Sequence, residues 1–123
     1  MITPKDYLMG RDKIYPISKE QALAMADLLA RINHLFAMLK INAHITSGYR
    51  PGHFNKAAGG AARSGHLVCR AIDIADPQGE LAELFKSNLK LLEEYGLWLE
   101  DPEHTSGWVH LDTKERKNRI FKP

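Results

Sequence analysis

The chain lacks most of the features that would assign it to a special class. It has one cysteine, Cys69, in 123 residues, so no internal disulfide framework can form. It lacks a charge excess: 17 Lys plus Arg against 15 Asp plus Glu leave +2. That balance offers no electrostatic footprint for nucleic acid, and no Lys/Arg cluster reads as a membrane patch. No apolar run approaches the ~20 residues of a spanning helix. The start, Met1-Ile-Thr-Pro-Lys-Asp-Tyr-Leu-Met9, has no basic stretch followed by an apolar signal core. The expectation is a product that is cytoplasmic when made, with no membrane span and no nucleic-acid partner. HExxH is missing, which excludes the helical zincin pairing, and so is the GxSxG elbow of serine hydrolases. Repeats, linkers and low-complexity tracts are also missing.

What is present is 44% apolar and 26% charged residues, the composition of one globular domain over residues 1–123 with one core. A monomer is the expectation. Residues 1–17, punctuated by Pro4 and Pro16, read as irregular. Ser18-Lys-Glu-Gln21 is a capping box, and Ala22, Met25, Ala26, Leu29, Ile32, Leu35, Phe36 and Leu39 continue it as one amphipathic helix over about 19–40. Ala43–Ser47 reads as a short strand. Residues 48–65 carry five glycines and Pro51 and read as a long Gly-rich loop, a length that is unusual in a small domain unless functional or disordered. Ala71–Ile74 reads as a second strand, 76–79 as a turn, and Glu80–Tyr95 as a second helix with Leu81, Leu84, Phe85, Leu89 and Leu92 inward. Gly96 is placed to end that helix. Leu97–Glu100 and Trp108–Thr113 read as hairpin strands around 101–107, with Arg119–Phe121 as an edge strand. The fold class is α+β: helices packed on a small, mostly antiparallel sheet.

Three residues in this pattern carry chemistry. His66 and Asp73 flank a loop-to-strand junction, and His110 lies in the later hairpin strand. Two imidazoles and one carboxylate make three ligands for Zn²⁺ and leave a fourth position open, the count that separates a catalytic zinc site from a structural one. A sheet face can gather them because alternate residues point to one side.

Ser64-x-His66-x-x-Cys69-x-Ala71-x-Asp73 resembles the SxHxxGxAxD signature of the zinc D-Ala-D-Ala carboxypeptidases and L-alanyl-D-glutamate endopeptidases, a group that includes vancomycin-resistance peptidases and phage endolysins. Trp108-Val-His110 resembles the group's second motif, and Ser47-Gly-Tyr-Arg50 its SGYR segment; together they cover roughly residues 18–113. The resemblance implies the fold shared by D,D-peptidases and the Hedgehog signalling domain, with His66, Asp73 and His110 on zinc. It implies hydrolysis of an amide bond in a peptidoglycan stem peptide, with the peptide as partner. Arg50 would clamp a substrate carboxylate or oxyanion, or else pin the loop by a salt bridge. Ser64, Asn55 and Trp108 are candidate substrate contacts, with a turn hydrogen bond, an ordinary turn residue and core packing as their alternatives. Asp112 is either an acceptor for a ligand imidazole N–H or a plain surface acid. His34, His44, His53 and His104 fall outside the motifs. A phage-delivered or lysis-released protein acting on the cell wall fits this reading.

Two departures stand out. Cys69 replaces the signature's Gly, where a positive φ would be tolerated poorly; it either fills buried space or offers a competing thiolate. Gly107 stands where many members have an acidic general base. The remaining acids are Glu100, Asp101 and Glu103. If the hairpin register pairs Glu100 with Trp108, Glu100 shares a face with His110 and lies diagonally beside it, whereas a one-residue slip favours Asp101 and Glu103. Glu100 is the preferred base. The non-enzymatic alternative is a zinc-stabilised binding or structural module of a phage particle that holds wall peptide without cutting it.

Overall fold

Thr3, Pro4 and Asp6 start a helix that periodicity alone does not reveal. The Thr3 hydroxyl accepts from the Asp6 N–H at 3.2 Å, and the Asp6 carboxylate accepts from the Thr3 N–H at 2.9 Å. Pro4, at the first helical position, needs no N–H partner. The computed structural model describes residues 1–57 and 64–123. Its first helix, α1 (Pro4–Leu8), and a 3-10 turn (Arg11–Lys13) correct the expectation of an irregular 1–17. Tyr7 of α1 is fully buried, and its hydroxyl donates to the Ala71 carbonyl at 2.7 Å.

The Ser18 box forms as expected, with Gln21 N–H to Ser18 Oγ at 3.0 Å and Ser18 N–H to Gln21 Oε1 at 2.8 Å. Helix α2 (Lys19–Leu39) follows, burying Met25, Leu28, Leu29, Ile32, Leu35 and Phe36. By length and composition alone α2 is apolar enough to cross a membrane, which corrects the expectation that no segment would qualify. Here its buried stripe belongs to the same core cluster as Ile72, Ile74, Leu99, Val109 and Leu111.

Helix α3 (Gly52–Ala57) interrupts the expected 48–65 loop; Gly59 and Gly60 lie outside the described residues. A 3-10 turn (Gly65–Val68) then leads into the sheet. The single helix expected over 80–95 is two, α4 (Glu80–Ser87) and α5 (Leu89–Tyr95). The break falls at Asn88, whose side-chain amide donates to the Leu84 carbonyl at 2.9 Å and so offers the backbone an alternative to the helical ladder. Leu89, expected inward, is left 38% exposed. The α4 start is held by buried Asp76, whose two oxygens accept from the Leu81 and Ala82 N–H groups.

The strands are β1 (Ile45–Ser47), β2 (Ala71–Ala75), β3 (Trp98–Glu100), β4 (Trp108–Asp112) and β5 (Ile120–Phe121). They form a sheet in the order β1-β2-β4-β3-β5, antiparallel except for the β3–β5 edge pair. Ile72, Ile74, Leu99, Val109 and Leu111 point into the core with α2, Phe85 and Leu92. The period-2 alternation sends Asp73, His110, Trp108 and Glu100 to the opposite face. This is the expected α+β arrangement.

Gly48 follows β1 and packs directly on α1: a Cβ there would run into the Tyr7 carbonyl oxygen. Gly48→Ala is therefore expected to destabilise the fold by about 1–3 kcal/mol through overpacking, seen as a fall in the thermal midpoint.

Candidate metal centre

One row across the sheet organises the site. Ser47 pairs with Asp73, Asp73 with His110, and Glu100 with Phe121. The β3–β4 ladder runs Trp98 to Asp112 and Leu99 to Leu111; continued by one residue, it sets Glu100 opposite His110. The expected pairing of Glu100 with Trp108 is thus off by two residues. A shift of two preserves the face, so Glu100 remains on the side of the histidines, directly across rather than diagonal.

His66 reaches this row from the 3-10 turn. Ser64 caps the turn, its hydroxyl accepting from the His66 N–H at 3.2 Å; of the two readings of Ser64, this is the local hydrogen bond. Gly65 lets the turn approach β2, since a Cβ there would lie 2.8 Å from the Ala71 Cβ. The turn closes through Cys69, which is fully buried with φ +60. That left-handed position explains a glycine preference; a non-glycine residue there costs about 1–2 kcal/mol. Burial pushes the Cys69 thiol up to about 12. It stays protonated at neutral pH and fills core space, and the thiolate reading is not supported.

The facing atoms of His66, Asp73 and His110 lie within 4.8 Å of one another, and all three residues are buried. His66 Nε2 is 3.1 Å and His110 Nδ1 is 2.9 Å from the same Asp73 oxygen, Oδ1. The outer nitrogens are engaged as well: His66 Nδ1 lies 2.7 Å from the Gly48 carbonyl and His110 Nε2 lies 3.1 Å from Asp112 Oδ2. Both outer partners are acceptors, so both outer nitrogens carry hydrogen. The inner nitrogens then offer lone pairs toward a carboxylate oxygen. Buried acceptors facing one another at this distance are stable only with a proton or a cation between them.

The electrostatics show which is the better occupant. Burial pushes the His66 imidazolium down, and the pull of Asp73 does not restore it. Burial alone would raise the Asp73 carboxyl, but the contacts with His110 and His66 outweigh it and hold the group well below the usual carboxylate range. For His110, the Asp112 and Asp73 carboxylates outweigh burial and raise it to about 9. His66 is thus a poor home for a proton, while a divalent metal ion would be held by His66, Asp73 and His110 and would give each of them a partner. Acceptors on the outer nitrogens fix tautomer and ring orientation, the arrangement found around metal-bound histidines.

Two consequences are measurable. Asp112 is fully buried; it accepts from the Lys114 N–H at 3.0 Å and pairs with Arg116, so it is an imidazole acceptor rather than a surface acid. Asp112→Asn is expected to lower metal affinity about 10–100-fold, read by calorimetric titration. Metal uptake must also displace the proton of His110, whose metal-free pKa is about 9. Apparent affinity is therefore expected to rise about tenfold per pH unit and to level off once His110 is deprotonated, with proton release counted in buffers of different ionisation enthalpy.

Around the cluster, Glu100 is half-buried. Burial raises its carboxyl, and it feels the charges of His110 and Asp73. Asp101 instead caps the 3-10 turn (Pro102–His104), accepting from the Glu103 N–H at 3.0 Å, and Glu103 is exposed. Gly107 has φ +94 and open space where a Cβ would be, so an acid at that position would be strained. Arg50 donates its backbone N–H to the His66 carbonyl at 3.1 Å, and its buried Nε has no hydrogen-bond partner among the described residues. Trp108 is half-buried, two residues before His110 on β4. Asn55 lies in α3, but its side chain is outside the described part of the structure, as is that of His53. His34 packs edge-on to Tyr95 at 5.2 Å, and His44 and His104 are exposed.

The sequence reading missed Tyr7, Arg116 and Phe121. Tyr7 accepts the Tyr49 N–H at its carbonyl, at 3.0 Å, and so holds the segment that carries Gly48 and Arg50. Phe121 lies edge-on to His110 at 5.9 Å, and Arg116 stacks on its ring. Only Tyr7 left a local signal, the Thr3–Asp6 box.

The peptidase M15 family model matches residues 9–112, a span that takes in all three facing residues and Arg50. No curated protein matches the chain, and no solved structure does. A match over most of the chain, on a fold that brings the possible ligand atoms of two histidines and an aspartate within 4.8 Å of one another, settles its membership: the chain belongs to the peptidase M15 family and is a metallopeptidase.

Proposed function

We propose that the protein is a zinc-dependent peptidase that hydrolyses an amide bond in peptidoglycan stem peptides, as a D,D-carboxypeptidase or an L,D-endopeptidase. The observation that carries this is the arrangement of the nitrogens: both outer ones are held by acceptors, and both inner ones face one carboxylate oxygen. Two imidazoles and one carboxylate with an open position are the donor set of a catalytic zinc site. Zinc held there supplies Lewis acidity toward the peptide carbonyl and toward water. The wall-peptide substrate is supported by the three motifs, Ser47–Arg50, Ser64–Asp73 and Trp108–His110, which resemble those of peptidoglycan peptidases.

The chain's own residues divide the remaining work. Glu100 takes the proton of the attacking water and returns it to the leaving amine, a role suited to a carboxyl whose pKa burial has raised. Arg50 steadies negative charge on the substrate through its guanidinium, whose buried Nε has no hydrogen-bond partner among the described residues. Trp108 walls the cleft beside His110, and Ser64 acts by holding the His66 turn. The place of action under this reading is the cell wall, reached by phage delivery or at lysis.

Gly107 supports one other reading, a zinc-stabilised module that holds wall peptide without cutting it. The test is amine release from purified peptidoglycan and from peptides ending in D-Ala-D-Ala. The peptidase reading predicts release that a chelator abolishes and zinc restores. Full zinc occupancy with no release from any wall peptide would overturn it in favour of the binding module.

A further inference from the structure

The segment that follows β4 folds back beside His110 and closes a ring of contacts on it. Asp112, fully buried, faces the outer nitrogen of His110 with Oδ2. Its other oxygen, Oδ1, accepts from the Lys114 N–H at 3.0 Å and from Arg116 Nη1. The Arg116 guanidinium lies over the Phe121 ring at 3.5 Å, and that ring meets His110 edge-on at 5.9 Å. The order around the ring is His110, Asp112, Arg116, Phe121 and back to His110. None of the three motifs contains Arg116 or Phe121.

Arg116 is itself held in place. Its Nη1 also donates to the Lys114 carbonyl at 3.1 Å, and its own carbonyl accepts from Trp98 Nε1 at 3.0 Å. Arg119 pins the rest of the segment: its guanidinium lies over the Trp98 ring at 4.1 Å, and its Nη1 donates to the Leu97 carbonyl at 3.0 Å. Next to the His66 turn, Gly65 leaves room for the Asp112 carboxylate, since a Cβ there would crowd Oδ2 at 3.3 Å. A buried carboxylate is costly unless a counter-charge stays with it. Without Arg116, Asp112 would relax toward water and release the His110 ring. An imidazole that has lost its outer acceptor binds metal less well.

We propose that Arg116 is a positioning residue of the metal centre: held flat on Phe121, it keeps Asp112 on the outer nitrogen of His110 and so fixes the His110 ring in the orientation that binds metal. This rests on the zinc reading and adds to it a residue outside the ligand set. The effect has a sign that charge alone does not give. Taking a cation away from the neighbourhood of a divalent ion tightens binding, whereas losing the brace weakens it.

The test is zinc affinity, from competition with a chromophoric chelator, in wild type, Arg116→Ala, Arg116→Lys, Asp112→Asn and the Arg116→Ala, Asp112→Asn double variant. Circular dichroism checks the fold of each. Arg116→Ala is expected to bind zinc about tenfold more weakly, within the roughly 10–100-fold range of outer hydrogen-bond partners. Arg116→Lys, which keeps the charge and loses the planar fork, is expected to recover part of that loss. In the Asp112→Asn background, Arg116→Ala is expected to change affinity little further, because the two residues act as a unit. Affinity in Arg116→Ala equal to or above wild type overturns the proposal. So does a loss that persists undiminished in the Asp112→Asn background, or a lysine variant no better than alanine. If the alanine variant does not fold, Arg116→Lys takes its place in the cycle, with a smaller loss that again disappears beside Asp112→Asn; an unchanged affinity or an additive loss overturns the proposal there as well. Wild type that binds no zinc overturns the zinc reading and this proposal with it, whereas wild type that binds zinc alongside unaffected Arg116 variants overturns the proposal alone.

Discussion

Asp73→Ala protein is expected to bind zinc more than about a hundredfold more weakly than wild type, beyond the 10–100-fold typical of losing an outer hydrogen-bond partner. The reason is that both inner nitrogens face the same Asp73 oxygen, at 3.1 and 2.9 Å. Removing the carboxylate takes away one donor and the only negative charge among the three facing groups. The two imidazoles left behind are buried, and the remaining carboxylates, Asp112 on the outer nitrogen of His110 and half-buried Glu100 across from it, act on a divalent charge only from farther away. Asp73→Asn separates charge from size. It keeps the volume between the histidines, and it is expected to lose nearly as much affinity, because an amide oxygen carries no formal charge. Affinity comes from competition titration with a chromophoric chelator, and fold integrity from the circular dichroism of the metal-free variants. Affinity within a few-fold of wild type in Asp73→Ala would place the metal elsewhere.

Glu100→Gln is expected to lower turnover about 10²–10⁴-fold, the usual contribution of a general acid–base group, while zinc content stays at the wild-type level. Glutamine keeps the shape and the hydrogen-bonding ends but cannot exchange a proton. The half-buried site should accept it readily, because burial already disfavours the charged carboxylate there. The pH profile supplies the sign. A base works deprotonated, so kcat/KM should rise as pH passes upward through the Glu100 pKa, and burial places that limb above the ordinary carboxylate range. Glu100→Gln should remove the limb altogether. Asp101→Asn and Glu103→Gln serve as contrasts. Asp101 is committed to capping its turn and Glu103 is exposed, so turnover in those variants is expected to stay within a few-fold of wild type.

The parts of this site that could be read from the sequence are those set by local periodicity. Alternation along 71–75 and 108–112 is enough to place Asp73 and His110 on one face, because the side-chain period of a strand is two. The same parity kept Glu100 on that face even though its pairing was two residues away from the expected one. The actual register depends on how the segment from Asp101 to Gly107 folds, and its 3-10 turn and positive-φ glycine are features that alternation does not encode. The cost of Cys69 was legible as a glycine position and took physical form as φ +60. Contacts across long sequence distances were out of reach. Tyr7 on Ala71, Arg11 on Phe54 and Phe121 on His110 join segments that no window of the sequence spans. Helix α1 was missed because five residues are too few for a periodic pattern, although its capping box was present. The break at Asn88 was missed because the apolar spacing continues across it.

The most direct test of the central claim is the metal itself. Purified protein, stripped and then equilibrated with zinc, should hold one ion per chain by elemental analysis. X-ray absorption should show two imidazoles and oxygen ligands at the distances of about 2.0–2.2 Å expected for zinc, with no sulfur from Cys69. His66→Ala should remove the ion. Protein with His66, Asp73 and His110 intact that retains no zinc, or whose zinc is bound through sulfur, would contradict the account.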